Sequence, residues 1–107
     1  MPHKSDQVRI KHMIDSAEEA LGFIKGVSKE KFLKSRLLQL SLTKELEIIG
    51  EAAERVSNEF KEKYSDVPWG YIIGMRNRLI HGYFDVDANV VWKTVTEDLP
   101  PLLKLLR

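Results

Sequence analysis

A chain of 107 residues has room for one domain with a single modest core, and residues 1–107 are read as that domain. Its 43% hydrophobic and 31% charged content exclude a disordered chain, and a net charge of +1 excludes a strong global pull toward nucleic acid or membrane. With no cysteine there is no disulfide or zinc–thiolate chemistry. No apolar run resembles a signal peptide or reaches the ~20 residues that span a bilayer, so a cytoplasmic location is expected.

From Asp6, read as an N-cap, Ile10, Met13, Ile14, Ala17, Leu21 and Ile24 recur at helical spacing, and this helix is expected to end near Gly26. His3 and His12 have no ligand spacing with each other or with His81, and both are expected on the solvated surface. Ser28 can cap a short turn, Lys29–Leu33. A long helix is then expected from Ser35 to Lys63, with the stripe Leu38, Leu42, Leu46, Ile49, Ala53, Val56 and Phe60. Gly50 interrupts it at a cost of about 1 kcal/mol against alanine, which points to a close helix contact as compensation. Between Gly26 and Leu37 the cations Lys25, Lys29, Lys31, Lys34 and Arg36 face one acid, Glu30. That run is either a solvated helix junction or a rim that attracts phosphate.

Tyr64–Pro68 reads as a loop, and the stretch after it as the helix around which the rest is arranged. Asp66 is a plausible N-cap, Pro68 suits a first helical position and Gly82 a left-handed exit. Trp69, Ile72, Met75, Leu79, Ile80 and Tyr83 fall on one side at roughly 100° per residue, with Arg76 in their midst. Gly70, Gly74, Asn77 and His81 form a small, polar strip opposite. Asp87 then offers a cap for a last helix containing Val90, Val91, Val95 and Leu99, which explains it more cheaply than a magnesium site shared with Asp85. Trp92 is its large anchor, and Pro100-Pro101 must kink or restart it before Leu102–Leu106. No period-two alternation supports a strand. The chain is expected to be an all-α bundle of four main helices in up-down order.

A guanidinium in an apolar stripe costs several kcal/mol unless it is paired. Arg76 is therefore either a buried ion pair, with Glu45, Glu47, Glu51 or Glu54 as partner, or a cation held in a cleft for phosphate. His81 is either a helix-end histidine favoured by the macrodipole or part of a site with Asn77, one turn back, and Tyr83. Arg76 and His81 lie about 140° apart on an ideal helix, so one straight helix does not aim both at one point. A distorted last turn or a second copy across a two-fold axis would bring them together, and the glycine strip would let two such helices approach.

Arg76-Asn77-Arg78-Leu79-Ile80-His81-Gly82-Tyr83 resembles the signature of HEPN-domain ribonucleases: an arginine, a polar residue and a histidine after four intervening positions. The tyrosine two past the histidine is similar to the HepT branch, the toxin half of MNT/HepT toxin–antitoxin systems. Ile48-Ile49-Gly50-Glu51-Ala52, Pro68-Trp69, Ile72-Ile73-Gly74-Met75, Phe84-Asp85-Val86-Asp87 and Val91-Trp92 also resemble that family's pattern.

The resemblance implies a metal-independent endoribonuclease without cofactor, working as a homodimer with both motifs in one cleft. Arg76 and His81 would be its catalytic pair and Asn77 the polar supporter. Arg78, Lys29, Lys31, Lys34 and Arg36 would bind RNA. It also implies a nucleotidyltransferase antitoxin as partner, which silences the toxin by placing AMP on Tyr83. Two other classes compete: a non-catalytic helical module that binds a partner nucleotidyltransferase or its nucleotide, and a plain dimeric scaffold. The nucleotidyltransferase itself is excluded, since no Gly-Ser run followed by paired aspartates is present.

Overall fold

The computed structural model describes residues 4–81 and 85–107. These are all-helical apart from one two-residue ladder. The first helix, α1 (Lys4–Phe23), packs along α3 (Arg36–Arg55), and α2 (Lys29–Leu33) lies between them in sequence. Met13, Ala17 and Ala20 of α1 and Leu42, Leu46, Ile49 and Ala53 of α3 are fully buried at this seam. The chain leaves α1 through Gly26, whose φ of 75° suits a residue without Cβ. Ser28 accepts from the Lys31 amide at 3.1 Å and Ser35 from the Leu38 amide at 3.1 Å, so both serines cap the helices they precede.

Asp6 does not cap its own helix. It is 1% exposed, inside α1, and its carboxylate accepts from the Ser57 amide at 2.8 Å and the Ser57 hydroxyl at 2.7 Å. Those bonds fall where the expected long helix breaks. Ser57 also accepts from the Phe60 amide at 3.2 Å and opens a separate helix, α4 (Asn58–Lys63), so a serine that can bond its own backbone stops α3 at Arg55. Asp6→Ala is expected to lower stability by about 2–4 kcal/mol, because it strands two partly buried donors. A urea titration reads this, and an unchanged midpoint would show that Ser57 finds other partners.

Gly50 sits where α3 meets the next segment: a Cβ there would come 3.1 Å from the Ile72 carbonyl. The expected close contact is thus backbone to backbone. That segment is two helices, not one. Gly74, at φ −79° and ψ 0°, ends α5 (Trp69–Ile73) before α6 (Met75–Leu79) begins. Pro68 takes the cap position, where no side chain caps the helix, and Asp66 stays exposed in the turn before it. The Trp69 indole donates to the Tyr64 carbonyl at 3.1 Å and fixes the entry.

Helix α6 also stops earlier than its sequence suggests. The Asp87 amide donates to the Leu79 carbonyl at 2.7 Å, occupying the acceptor that a continued helix needs four residues on. β1 (Ile80–His81) then pairs antiparallel with β2 (Asp85–Val86), with Ile80 opposite Val86 and His81 opposite Asp85. The expected helix through Gly82 and the expected absence of strands are both corrected here. Asp87 accepts from the Val90 amide at 3.2 Å and caps α7 (Ala88–Lys93), as its position suggests.

Five residues of π-helix, Thr94–Asp98, separate α7 from α8 (Leu99–Leu106). Pro100 and Pro101 cannot donate to the preceding turn and their rings crowd it. The wider turn, closed from the Leu99 amide to the Thr94 carbonyl, accommodates them. The run α7–α8 packs on α1 and α3 and closes the core with Val91, Val95, Leu99, Leu102 and Leu103.

Candidate active site

The three polar residues after Met75 are all exposed: Arg76, Asn77 and Arg78. Met75 and Leu79 are buried beneath them, so α6 is a single short amphipathic turn lying on α3 and α7. Arg76 is not in the apolar stripe. A wheel drawn through a continuous helix places it there, but the break at Gly74 and the stop at Leu79 leave too little helix to bury its side. Among the described residues Arg76 has no ion-pair partner. Of its expected glutamates, Glu45 faces Glu19 and Ser16 of α1, Glu51 lies beside Arg9 and Arg55, Glu47 is half-buried and Glu54 is exposed.

His81 follows in β1, with its backbone held opposite Asp85. The wheel angle between Arg76 and His81 does not apply, because the chain changes from helix to ladder between them. The His81 side chain, with Gly82 and Tyr83, lies outside the described residues, as do the side chain of Asp85 and all of His3.

Arg78 is held firmly. Its guanidinium carbon stands 3.9 Å from the centre of the Tyr71 ring and Nη2 donates to the Tyr71 carbonyl at 2.6 Å. Nη1 lies 3.4 Å from where a Gly74 Cβ would be, so this glycine makes room for the arginine. The strip of small residues is therefore partly roofed by its own chain, and only Gly70 faces open space. The Tyr71 hydroxyl donates to Asp98 Oδ2 at 2.6 Å, and that bond, with burial, holds its pKa above the ordinary tyrosine value. Arg78, Tyr71 and Asp98 thus brace α5 and α6 against the π-turn. Sequence reading missed this brace, although seven residues on a helix return Tyr71 and Arg78 to nearly the same face.

The basic rim is carried by α2 and the start of α3. Lys29, Lys31, Lys34 and Arg36 are exposed, and Lys34 bridges to Glu30 at 3.2 Å. Such a solvent-exposed pair contributes little to stability, so α2 must be anchored otherwise. Phe32 does this: it is fully buried and its ring lies 5.2 Å from that of Trp92 on α7. Both α2 and α6 rest on α7, which puts the rim and the Arg76 turn on neighbours of one helix.

Glu45 is the other perturbed group among the described residues. It is 5% exposed, and its Oε2 is buried with no hydrogen-bond partner among the described residues. Burial pushes its pKa from 4.5 to about 7, with the Glu19 carboxylate across the seam adding to the rise and Ser16 opposing it. The folded state therefore keeps a proton that the unfolded chain releases above pH 4.5, and stability falls as pH rises toward and through 7. Glu45→Gln is expected to flatten this dependence and to stabilise the chain above pH 7 by about 2–3 kcal/mol. Equal urea midpoints against pH for both proteins would contradict it.

An all-helical fold with an exposed arginine on a short helix, and the backbone of a histidine held just beyond it, is consistent with the HEPN-like class. Comparison with known proteins narrows this. A family model described as ribonuclease HepT-like matches residues 13–107. A relative from Thermococcus cleftensis, provisionally named ribonuclease HepT, is 41% identical over 100 residues, 94% of this chain and 88% of that protein. Relatives provisionally named RNases come from Caldanaerobacter subterraneus subsp. tengcongensis, 38% identical over 97% of this chain and 93% of the relative, and from Methanocaldococcus jannaschii, 38% identical over 86% and 84%. No solved structure gives a significant match. The chain belongs to the HepT-like ribonuclease family.

Proposed function

We propose that this chain is the toxin of a toxin–antitoxin pair and cuts RNA without a metal ion. In this reading residues 1–107 form one HEPN-like domain, an up-down bundle of four main helices, and two copies pool their motifs in one cytoplasmic cleft. The observation that supports it best is the exposed guanidinium of Arg76, which has no ion-pair partner among the described residues and stands one short turn ahead of the ladder that holds His81.

The chemistry follows from the two side chains. The ribose 2′-oxygen forms a bond to its own phosphorus while the bond to the 5′-oxygen breaks. One imidazole takes the 2′-proton and another donates a proton to the departing oxygen, the two being supplied by His81 of each copy. The Arg76 guanidinium binds the non-bridging oxygens as negative charge builds on them, and Asn77 supports that contact. The products are a 2′,3′-cyclic phosphate and a free 5′-hydroxyl.

Lys29, Lys31, Lys34, Arg36 and Arg78 attract the strand. A nucleotidyltransferase antitoxin silences the enzyme by adenylylating Tyr83. Induced expression of wild type, Arg76→Ala and His81→Ala tests the whole. Arrested growth in the first culture alone is expected, and equal growth in all three would leave a non-catalytic binding module in its place.

A further inference from the structure

A small cavity of about 130 Å³ opens between α1 and α3, lined by Arg9, His12, Ile48, Glu51, Ala52 and Arg55. Arg9 and His12 are one turn apart on α1, and Glu51 and Arg55 one turn apart on α3. Ile48 and the short, buried Ala52 form an apolar floor. Glu51 and Arg55 have the order and spacing that favour an ion pair on a helix, yet no described pair joins them, nor Glu51 to Arg9. On the same helix Lys11 and Asp15 do pair, at 3.4 Å. Two arginines therefore line one cavity with a single carboxylate, and among the described residues neither has an ion-pair partner.

We infer that this α1–α3 cavity is a second anion site, in which Arg9 and Arg55 bind a backbone phosphate of the RNA strand away from the reacting bond. Guanidinium groups bind phosphate bidentately, and a cavity this small suits one tetrahedral group better than a folded partner. The site is separate from the Arg76 turn. Gly50 presses on α5 at one side of α3, while Glu51 and Arg55 open on another, so one helix of about 10 Å lies between them. Glu51 weakens the phosphate's hold, which lets the product strand leave. The inference rests on the ribonuclease reading and deepens it by naming where the substrate is held.

The test uses the full chain and a single-stranded 2′-O-methyl RNA, which lacks the nucleophile and so reports binding alone. The double variant Arg9→Gln with Arg55→Gln is compared with wild type across a salt titration by fluorescence anisotropy. Its slope of log affinity against log salt is expected to fall by about 1.4, two cations at about 0.7 each for a single strand. Arg9→Lys with Arg55→Lys is expected to keep most of the slope, since charge remains. Glu51→Gln is expected to tighten binding, a change that a purely structural role would not produce. On cleavable RNA the glutamine pair is expected to raise KM and leave kcat unchanged.

An unchanged slope and affinity in the glutamine pair, on RNA that wild type binds, would overturn the site while leaving the ribonuclease reading intact. So would inorganic phosphate binding that depends on both arginines while RNA binding does not, since that marks a small-ion site only. Wild type that binds no RNA would overturn both.

Discussion

Arg76→Ala is expected to lower kcat for RNA cleavage by about 10²–10³-fold and to leave the fold intact. The size follows from the role: a preorganised charge facing the oxygens on which negative charge develops is worth about 3–4 kcal/mol in the transition state. The intact fold follows from the structure, because Arg76 is exposed and has no ion-pair partner among the described residues. Arg76→Lys is expected to recover only part of the loss, since an ammonium keeps the charge and loses the two-pronged geometry. His81→Ala is expected to cost about 10²–10⁴-fold through the proton transfers. Thermal melts of the variants separate these effects from unfolding. A variant that melts like wild type and cuts RNA at the wild-type rate would remove Arg76 or His81 from the mechanism.

Adenylylation of Tyr83 is expected to reduce cleavage by at least about 10²-fold, and Tyr83→Phe to escape that control while remaining an active nuclease. An AMP group brings a phosphate charge and a base to a position two residues past His81. A second anion there repels the substrate phosphate and fills the space it needs. Phenylalanine keeps the ring and loses the only atom that can be modified. The check is incubation with the cognate nucleotidyltransferase and ATP, followed by intact mass and an RNA assay. A mass gain of one or more AMP groups on wild type and none on Tyr83→Phe supports the assignment. The same gain on both would place the modification elsewhere.

Local capping was legible from the residues themselves. Ser28 and Asp87 cap the helices that follow them, because a short acceptor side chain ahead of an apolar stripe needs nothing distant. Gly50 was legible as a close contact for a similar reason: a glycine inside a long helix needs compensation from packing. Asp6 was not. An acid near a helix start looks like a cap until its partner is known, and Ser57 lies fifty-one residues away. The same contact hides the end of α3, since the apolar stripe runs on to Phe60 whether or not the backbone breaks at Ser57.

The site shows the sharper version of this limit. Arg76, Asn77, His81 and Tyr83 were read from the spacing of a known family motif, and the comparisons show the family itself. The placement of Arg76 and the extent of its helix were misjudged, because periodicity assumes one continuous helix. Gly74 reads as a small residue on a helix face, but its backbone takes ψ 0° and its empty side holds Arg78. Leu79 ends α6 because a distant amide, that of Asp87, claims its carbonyl. Neither event leaves a period in the sequence. The brace of Arg78, Tyr71 and Asp98 was legible only in its first half, the seven-residue spacing, since Asp98 comes from the π-turn.

The most direct measurement is the chemical identity of the cut ends made by purified chain, stripped of any AMP, on a defined RNA in excess EDTA. Cleavage that persists and leaves 2′,3′-cyclic phosphate and 5′-hydroxyl ends, and that vanishes in His81→Ala, is the predicted result. Cleavage that stops with EDTA and returns with a divalent cation, or that leaves 5′-phosphate ends, would contradict the account.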